Sequence, residues 1–394
     1  MKTVSARVTS RALVLCGCAL LHNGIVQAEQ VFEDNFDRQP DWHSELAEND
    51  KGGVPSGEPD TAQYQGIHTI PQGWHAVRQD PVWSPVKGHS DRHPVIEILS
   101  SNADKAKGQT GKSFVTWRDS YDPGWNRFNS DGILFYRLPG DGLEEVYVEF
   151  WATFSDQVIE SFYGDLMGSS KLLRIMSHDA PDDFSYRDWW NFFEGNHKPM
   201  YVWGTGGETV YGIRNYISIY RAAGGEPLND NIEGLPQRMQ SGGDNSLWYS
   251  PTATDGQGVD GSDPALPDYR NGGVIESGPV GLDQLFGKEQ TWVKVGQYVK
   301  LNSAPGVADG ELHHYLGGQR ILHLTGIEWV TSGQPMKKWN LVAIGGNDFF
   351  QGYANELRHE EWYAIDDFAV YSSLPDSLTT NLAAPNPPSS LSVE

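Results

Sequence analysis

Cysteine is almost missing from this 394-residue chain: there are two, Cys16 and Cys18, both in an apolar run near the start. Any product that loses that run has no thiol and no disulfide, so a hydrophobic core must hold it, helped at most by a metal ion. Basic residues are scarce as well, 29 Lys and Arg against 52 Asp and Glu, for a formal net charge of −23. That balance excludes a nucleic-acid partner, whose phosphates need a basic footprint. A polyanionic ligand would need a local cluster of cations set against the global field. The longest unbroken apolar run, Ala12 to Leu21, falls well short of the roughly 20 residues that span a bilayer. No helical periodicity of convincing length occurs, and no fixed repeat, which removes solenoids and propellers. Neither H-x-x-x-H nor a similar spacing suggests zinc.

What is present begins with an export signal. Lys2, Arg7 and Arg11 precede the apolar run, and Val26-Gln27-Ala28 offers small residues for cleavage after Ala28. A lipid-attachment box at Leu15-Cys16-Gly17-Cys18 is the alternative. The expectation is a secreted, monomeric protein. Period-2 alternation marks strands at Val146–Phe154, Tyr211–Ile219, Trp292–Leu301 and Trp362–Tyr371. Shorter candidates are Ile96–Leu99, Ser113–Trp117, Leu172–Met176, Leu312–Leu316 and Leu341–Ile344. With 44 Gly and 23 Pro between them, these argue for an all-β antiparallel β-sandwich. Two polar, Gly/Pro-rich stretches, 37–90 and 224–289, resist a strand reading, and 375–394 reads as a flexible tail.

Phe32-Glu33-Asp34-Asn35-Phe36-Asp37 and Ile365-Asp366-Asp367-Phe368-Ala369-Val370-Tyr371 resemble the paired terminal strands of concanavalin-A-like jelly rolls. Between them, Trp292 to Asn302, then Asp309-Gly310-Glu311-Leu312 and Leu316-Gly317-Gly318, resemble a hairpin of jelly-roll polysaccharide lyases, the alginate and glucuronan lyase type related to heparinase I. Gly111-Lys112-Ser113 and Ser170-Lys171-Leu172 echo shorter blocks. The resemblance implies one jelly-roll domain over 29–374 and β-elimination on a uronate-containing glycan. A lectin-like binding protein of the same fold is the alternative, and a glycoside hydrolase a further one. Hydrolases of this fold place two Glu on one strand as E-[ILV]-D-x-x-E, so that the carboxyls sit about 5 Å apart. Glu144 to Glu149 (EEVYVE) lacks the middle Asp.

Elimination needs a cation for the uronate carboxylate, a base for the C5 proton and an acid for the leaving oxygen. Alternation puts Arg214, Tyr216, Ser218 and Tyr220 on one strand face, and Lys294, Tyr298 and Lys300 on another. Arg214, Tyr216, Tyr220, Tyr298 and Lys300 are candidate catalytic groups; Ser218 and Lys294 would touch substrate. Lys171 and Arg174 would bind substrate from the strand before His178, itself a candidate base. His313, His314 and His323 read equally well as outer-sheet residues. Trp189, Trp190, Phe192, Phe193, Tyr201 and Trp203 fall in a Gly-rich connection, where Trp189, Trp190 and Trp203 could stack on sugar rings. The resemblance implies a structural Ca2+ at the joined termini, held through Glu33 and Asp366; Asp255, Asp260 and Asp263 form a weaker calcium-like loop. Each polar strand residue has a plainer reading as ordinary solvent-facing surface.

Overall fold

The computed structural model describes residues 28–44, 70–79, 93–118, 128–161, 169–179, 198–208, 212–222, 246–249, 266–268, 273–275, 281–349 and 361–379. Among them, strands build two antiparallel sheets. The first has nine strands: β16 (Gln319–Ile327), β15 (Gly310–Leu316), β14 (Val293–Lys300), β7 (Glu145–Phe154), β18 (Trp362–Tyr371), β5 (Phe114–Trp117), β4 (Ile96–Ile98) and β2 (Trp42–His43) in that order, with β1 (Gln30–Asp34) also paired to β18. The second has seven: β11 (Ser246–Tyr249), β10 (Gly212–Tyr220), β9 (Met200–Glu208), β8 (Ser169–Met176), β17 (Leu341–Phe349), β6 (Phe128–Arg137) and β3 (Ala76–Gln79). A hairpin pairs β12 (Leu266–Asp268) with β13 (Gly273–Ile275). Helices are single turns or little more, as at Asp156–Ser161 and Leu282–Leu285.

The sheets close over one core because alternation gives each an apolar face. From the first sheet come Val146, Val148, Phe150, Ala152, Phe154, Val293, Val295 and Val299; from the second Leu173, Ile175, Trp203, Ile217, Ile219, Val342 and Ile344, all buried. Each large aliphatic or aromatic side chain contributes about 1.5–3 kcal/mol on burial, which is how the two sheets stay together. The terminal pairing forms as the resemblance implied, with Phe32 opposite Val370 and Asp34 opposite Phe368. Phe32 stacks on Tyr136 at 4.0 Å. Asp34 accepts from Phe36 N (2.7 Å), Gln39 Nε2 (2.6 Å) and Trp74 Nε1 (2.8 Å), locking the chain after β1.

Three readings change. The Gly-rich connection holding Trp203 is strand β9. Both stretches that resisted a strand reading contribute strands: β2 and β3 from the first, β11, β12 and β13 from the second. The start of the expected tail turns helical at Asp376–Thr379, and Leu378 packs on Tyr147, Tyr298 and Tyr315. Short apolar pieces such as Ser246-Leu247-Trp248-Tyr249 are too brief to show a period alone and are recruited by pairing to a long neighbour. The expected export signal, residues 1–28, lies outside the described residues except for Ala28.

Glu97 on β4 is a buried polar hub. It accepts from Asn102 Nδ2 at 2.7 Å and Trp117 Nε1 at 3.0 Å, and its other oxygen lies 3.1 Å from His93 Nδ1. Burial alone would raise its pKa; hydrogen bonds from His93, Asn102 and Trp117 outweigh that and hold it below the ordinary 4.5. The native state therefore resists protonation longer than the unfolded chain. Its stabilisation is complete above pH 4.5 and is lost as pH falls through the native value. Glu97→Gln should cost about 1–3 kcal/mol near neutrality and shrink the loss between pH 6 and pH 3. Urea unfolding at the two pH values checks this, and an unchanged acid slope rejects it.

Candidate functional site

The second sheet presents its outer face through β8, β9 and β10. Core-facing Trp203 and Tyr201 on β9 pair with Ile217 and Ile219 on β10, so the residues between them point away from the core. Tyr216 is opposite Gly204, and Gly204 is opposite Lys171 on β8. One cross-strand row thus carries a phenol and an ammonium with a side-chain-less residue between them. The glycine is required: a Cβ at Gly204 would come within 1.8 Å of the Ser170 carbonyl oxygen. Tyr216 and Lys171 are half-buried, and Ser218 Oγ donates to Tyr216 Oη at 2.9 Å.

Lys171 reaches this face through a bulge. In a regular strand it would share the side of Leu173 and Ile175, in the core. Pairing slips between Lys171 and Leu173, so Leu172 and Leu173 both enter the core and Lys171 is turned outward. Arg174 then shares its face, in the row of Ser218, Val202 and Ala343. Its guanidinium is fully buried and donates through Nη1 to the Gly345 carbonyl at 2.8 Å. Arg214 stands opposite Gly206 at the next outward register position; its side chain lies outside the described set.

The remaining candidates disperse. Tyr220 packs on a second buried apolar cluster of this face, formed by Ile133, Phe135, Met176, Met200, Val202, Leu341 and Ala343. His178 is buried past the far end of β8, seven residues from Lys171 and roughly 20 Å along an extended chain. Its backbone is clamped by Asn340, which accepts from His178 N at 2.8 Å and donates to its carbonyl at 2.7 Å. Trp203, expected to stack on sugar, is instead a core residue: fully buried, 5.3 Å from the His314 ring, its Nε1 donating to Asn215 at 3.1 Å. The alternation of β9 turns it inward. Trp189, Trp190, Asp255, Asp260 and Asp263 lie outside the described residues.

Lys294, Tyr298 and Lys300 share the outer face of the first sheet, as alternation implies. Lys294 Nζ is 2.9 Å from Glu149 and Lys300 Nζ 2.9 Å from Glu311. Tyr298 donates to Glu145; burial, then that carboxylate, pushes its phenol pKa far up and keeps it protonated. At the terminal seam, Asp366 accepts from Lys107 N at 3.0 Å and Asp367 N at 2.7 Å. Burial raises its pKa to about 7. Glu33 accepts from Gln30 at 2.6 Å and lines a pocket of about 470 Å³ with Asp34, Arg38, Glu149, Asp367 and Tyr371.

No protein-family model matches the chain, and no curated protein matches it. Among solved structures, an alginate lyase variant in complex with alginate tetrasaccharide is 13% identical, covering 66% of this chain and 80% of that one, at a TM-score of 0.36. The endo-β-1,4-glucuronan lyase of the fungus Trichoderma reesei is 11% identical over 76% of this chain and 91% of its own, at 0.37. The receptor-binding domain of botulinum neurotoxin mosaic serotype C/D is 10% identical over 81% and 48%, at 0.34. Likeness at this level concerns the sheet architecture alone.

Proposed function

We propose that the protein is an exported polysaccharide lyase that cleaves a uronate-containing glycan by β-elimination on the outer face of the second sheet. The observation that carries the reading is the row Lys171–Gly204–Tyr216, which sets a cation and a phenol on one face with no side chain between them. Lys171, with Arg214 from the adjacent register position, neutralises the uronate carboxylate and so acidifies the C5 proton. Tyr216 exchanges protons at the reacting atoms. The C5–H bond breaks to the base, the C4–O4 bond breaks, a C4–C5 double bond forms, and O4 leaves with a proton. Arg174, held on Gly345, keeps positive charge beneath the site without direct exposure. Incubation with alginate, glucuronan and glycosaminoglycans should yield an ultraviolet-absorbing unsaturated uronate from at least one polymer. Binding without that product on every polymer rejects the lyase reading.

A glycan-binding protein is the second reading, favoured by the terminal-seam pocket. There Gln30, Asn35 and Gln72 present amides beside Tyr371, groups suited to sugar hydroxyls and a sugar face. The same seam is the proposed place of a structural Ca2+, since a buried carboxylate such as Asp366 gains from a hard cation. For metal-stripped protein, Ca2+ addition should raise the melting temperature by several degrees, because a ligand of the native state adds RT ln(1 + [L]/Kd). Asp366→Asn should abolish the shift, and no shift in the parent protein counts against the site.

A further inference from the structure

We propose that Glu311, His313 and His323, on the outer face of the first sheet, hold a divalent first-row transition-metal ion, with Zn2+ the ion that fits the donors. His313 on β15 and His323 on β16 are directly opposite each other. Glu311 lies two residues before His313 and so shares its face. One ligand atom from each comes within 4.8 Å of the other two. The His313 Nε2 to Glu311 Oε2 distance is 3.3 Å. Two ligands of a tetrahedral ion with bonds of about 2.0–2.1 Å stand about 3.3–3.5 Å apart, so this edge already has coordination length. The imidazole rings meet edge to face, with centroids 4.3 Å apart at 84°.

Surrounding contacts orient the donors. His313 Nδ1 is 3.3 Å from Tyr315 Oη; with the proton on Nδ1, the Nε2 lone pair faces Glu311. Lys300 holds Glu311 Oε1 at 2.9 Å and leaves Oε2 for the metal. Two imidazoles and one carboxylate favour a borderline transition ion over Ca2+ or Mg2+, which take oxygen ligands. Three protein ligands also leave a fourth position for water. The site spans the β15–β16 hairpin at the edge of the sheet, where pairing slips between Gly310 and Glu311 and between His314 and Tyr315. An ion joining the strands would fix register there, in place of the disulfide cross-link that a sequence with cysteine only at positions 16 and 18 cannot form within this hairpin.

The test uses untagged full-length protein, stripped of metal, dialysed against Zn2+ and analysed for bound metal. One Zn2+ per chain is expected. His323→Gln, in a half-buried position, and His313→Gln should each weaken retention roughly tenfold or more, with circular dichroism confirming that the fold is kept. Co2+ should give visible ligand-field bands in the parent protein that both variants lose. Failure of the parent to retain Zn2+, or equal retention by the parent and a His313→Gln/His323→Gln double variant, would overturn the proposal. The parent measurement decides even if a variant does not fold.

Discussion

Tyr216→Phe is expected to lower turnover on a uronate polymer by roughly 10²-fold or more with binding nearly unchanged, the scale for losing a general acid or base. The substitution keeps the ring and its half-buried packing and removes only the hydroxyl. That hydroxyl stands in the row of Lys171 and accepts from Ser218 Oγ at 2.9 Å. Ser218→Ala removes the hydrogen bond but leaves the phenol proton in place, so its effect should be several-fold at most. Lys171→Met should act differently: a cation that meets the carboxylate in both ground and transition states affects KM as well as kcat. If the protein is a lectin, Tyr216→Phe will barely matter, whereas substitutions at Gln30 and Gln72 will weaken glycan binding. Steady-state kinetics and isothermal titration on the same polymer separate the cases. An unchanged kcat in Tyr216→Phe would remove Tyr216 from the mechanism.

Glu361→Gln should destabilise the fold by about 3–5 kcal/mol, the range for breaking a buried ion pair by neutralising one partner. Arg118 and Glu361 flank the paired ends of β5 and β18, where Arg118 N donates to the Glu361 carbonyl at 2.9 Å. Their side chains are 0% and 1% exposed, with the guanidinium 4.0 Å from the carboxylate. Glutamine preserves shape but removes the negative charge, so the guanidinium keeps its desolvation cost. Against a total stability of about 5–15 kcal/mol, the loss should appear as a large drop in the urea midpoint. Replacing both residues by Met should recover much of it, because a buried ion pair adds little beyond what apolar packing supplies. A shift under about 1 kcal/mol for Glu361→Gln would show that water or another group already compensates Arg118.

Much of the fold was legible in the sequence because burial writes itself into alternation. Val146–Phe154 carries its core face as a literal pattern, Trp362–Tyr371 runs to its observed ends, and the Phe32 segment pairs where the terminal resemblance placed it. Strand β9 was not legible. Glycines 204, 206 and 207 read locally as a loop, and only the approach of β8 explains why Gly204 must lack a side chain. Nor did periodicity show that Lys171 and Arg174, three apart, share a face. That takes a bulge at Leu172, and a bulge is a property of two paired strands rather than of one.

The same division separates the two clusters of chemistry. The sequence by itself determined which residues alternate outward, and so named Tyr216, Ser218, Tyr298 and Lys300. It could not determine which outward residues become neighbours, because strand order is set by packing between segments far apart in the chain. Tertiary structure put Lys171 level with Tyr216 across Gly204 and sent Trp203 and His314 into the core. It also set His323 against His313 across a strand pair. A spacing search for helix-borne ligands cannot find that last group, since a sheet supplies its donors at i, i+2 and a partner on the next strand, and only the register says which partner.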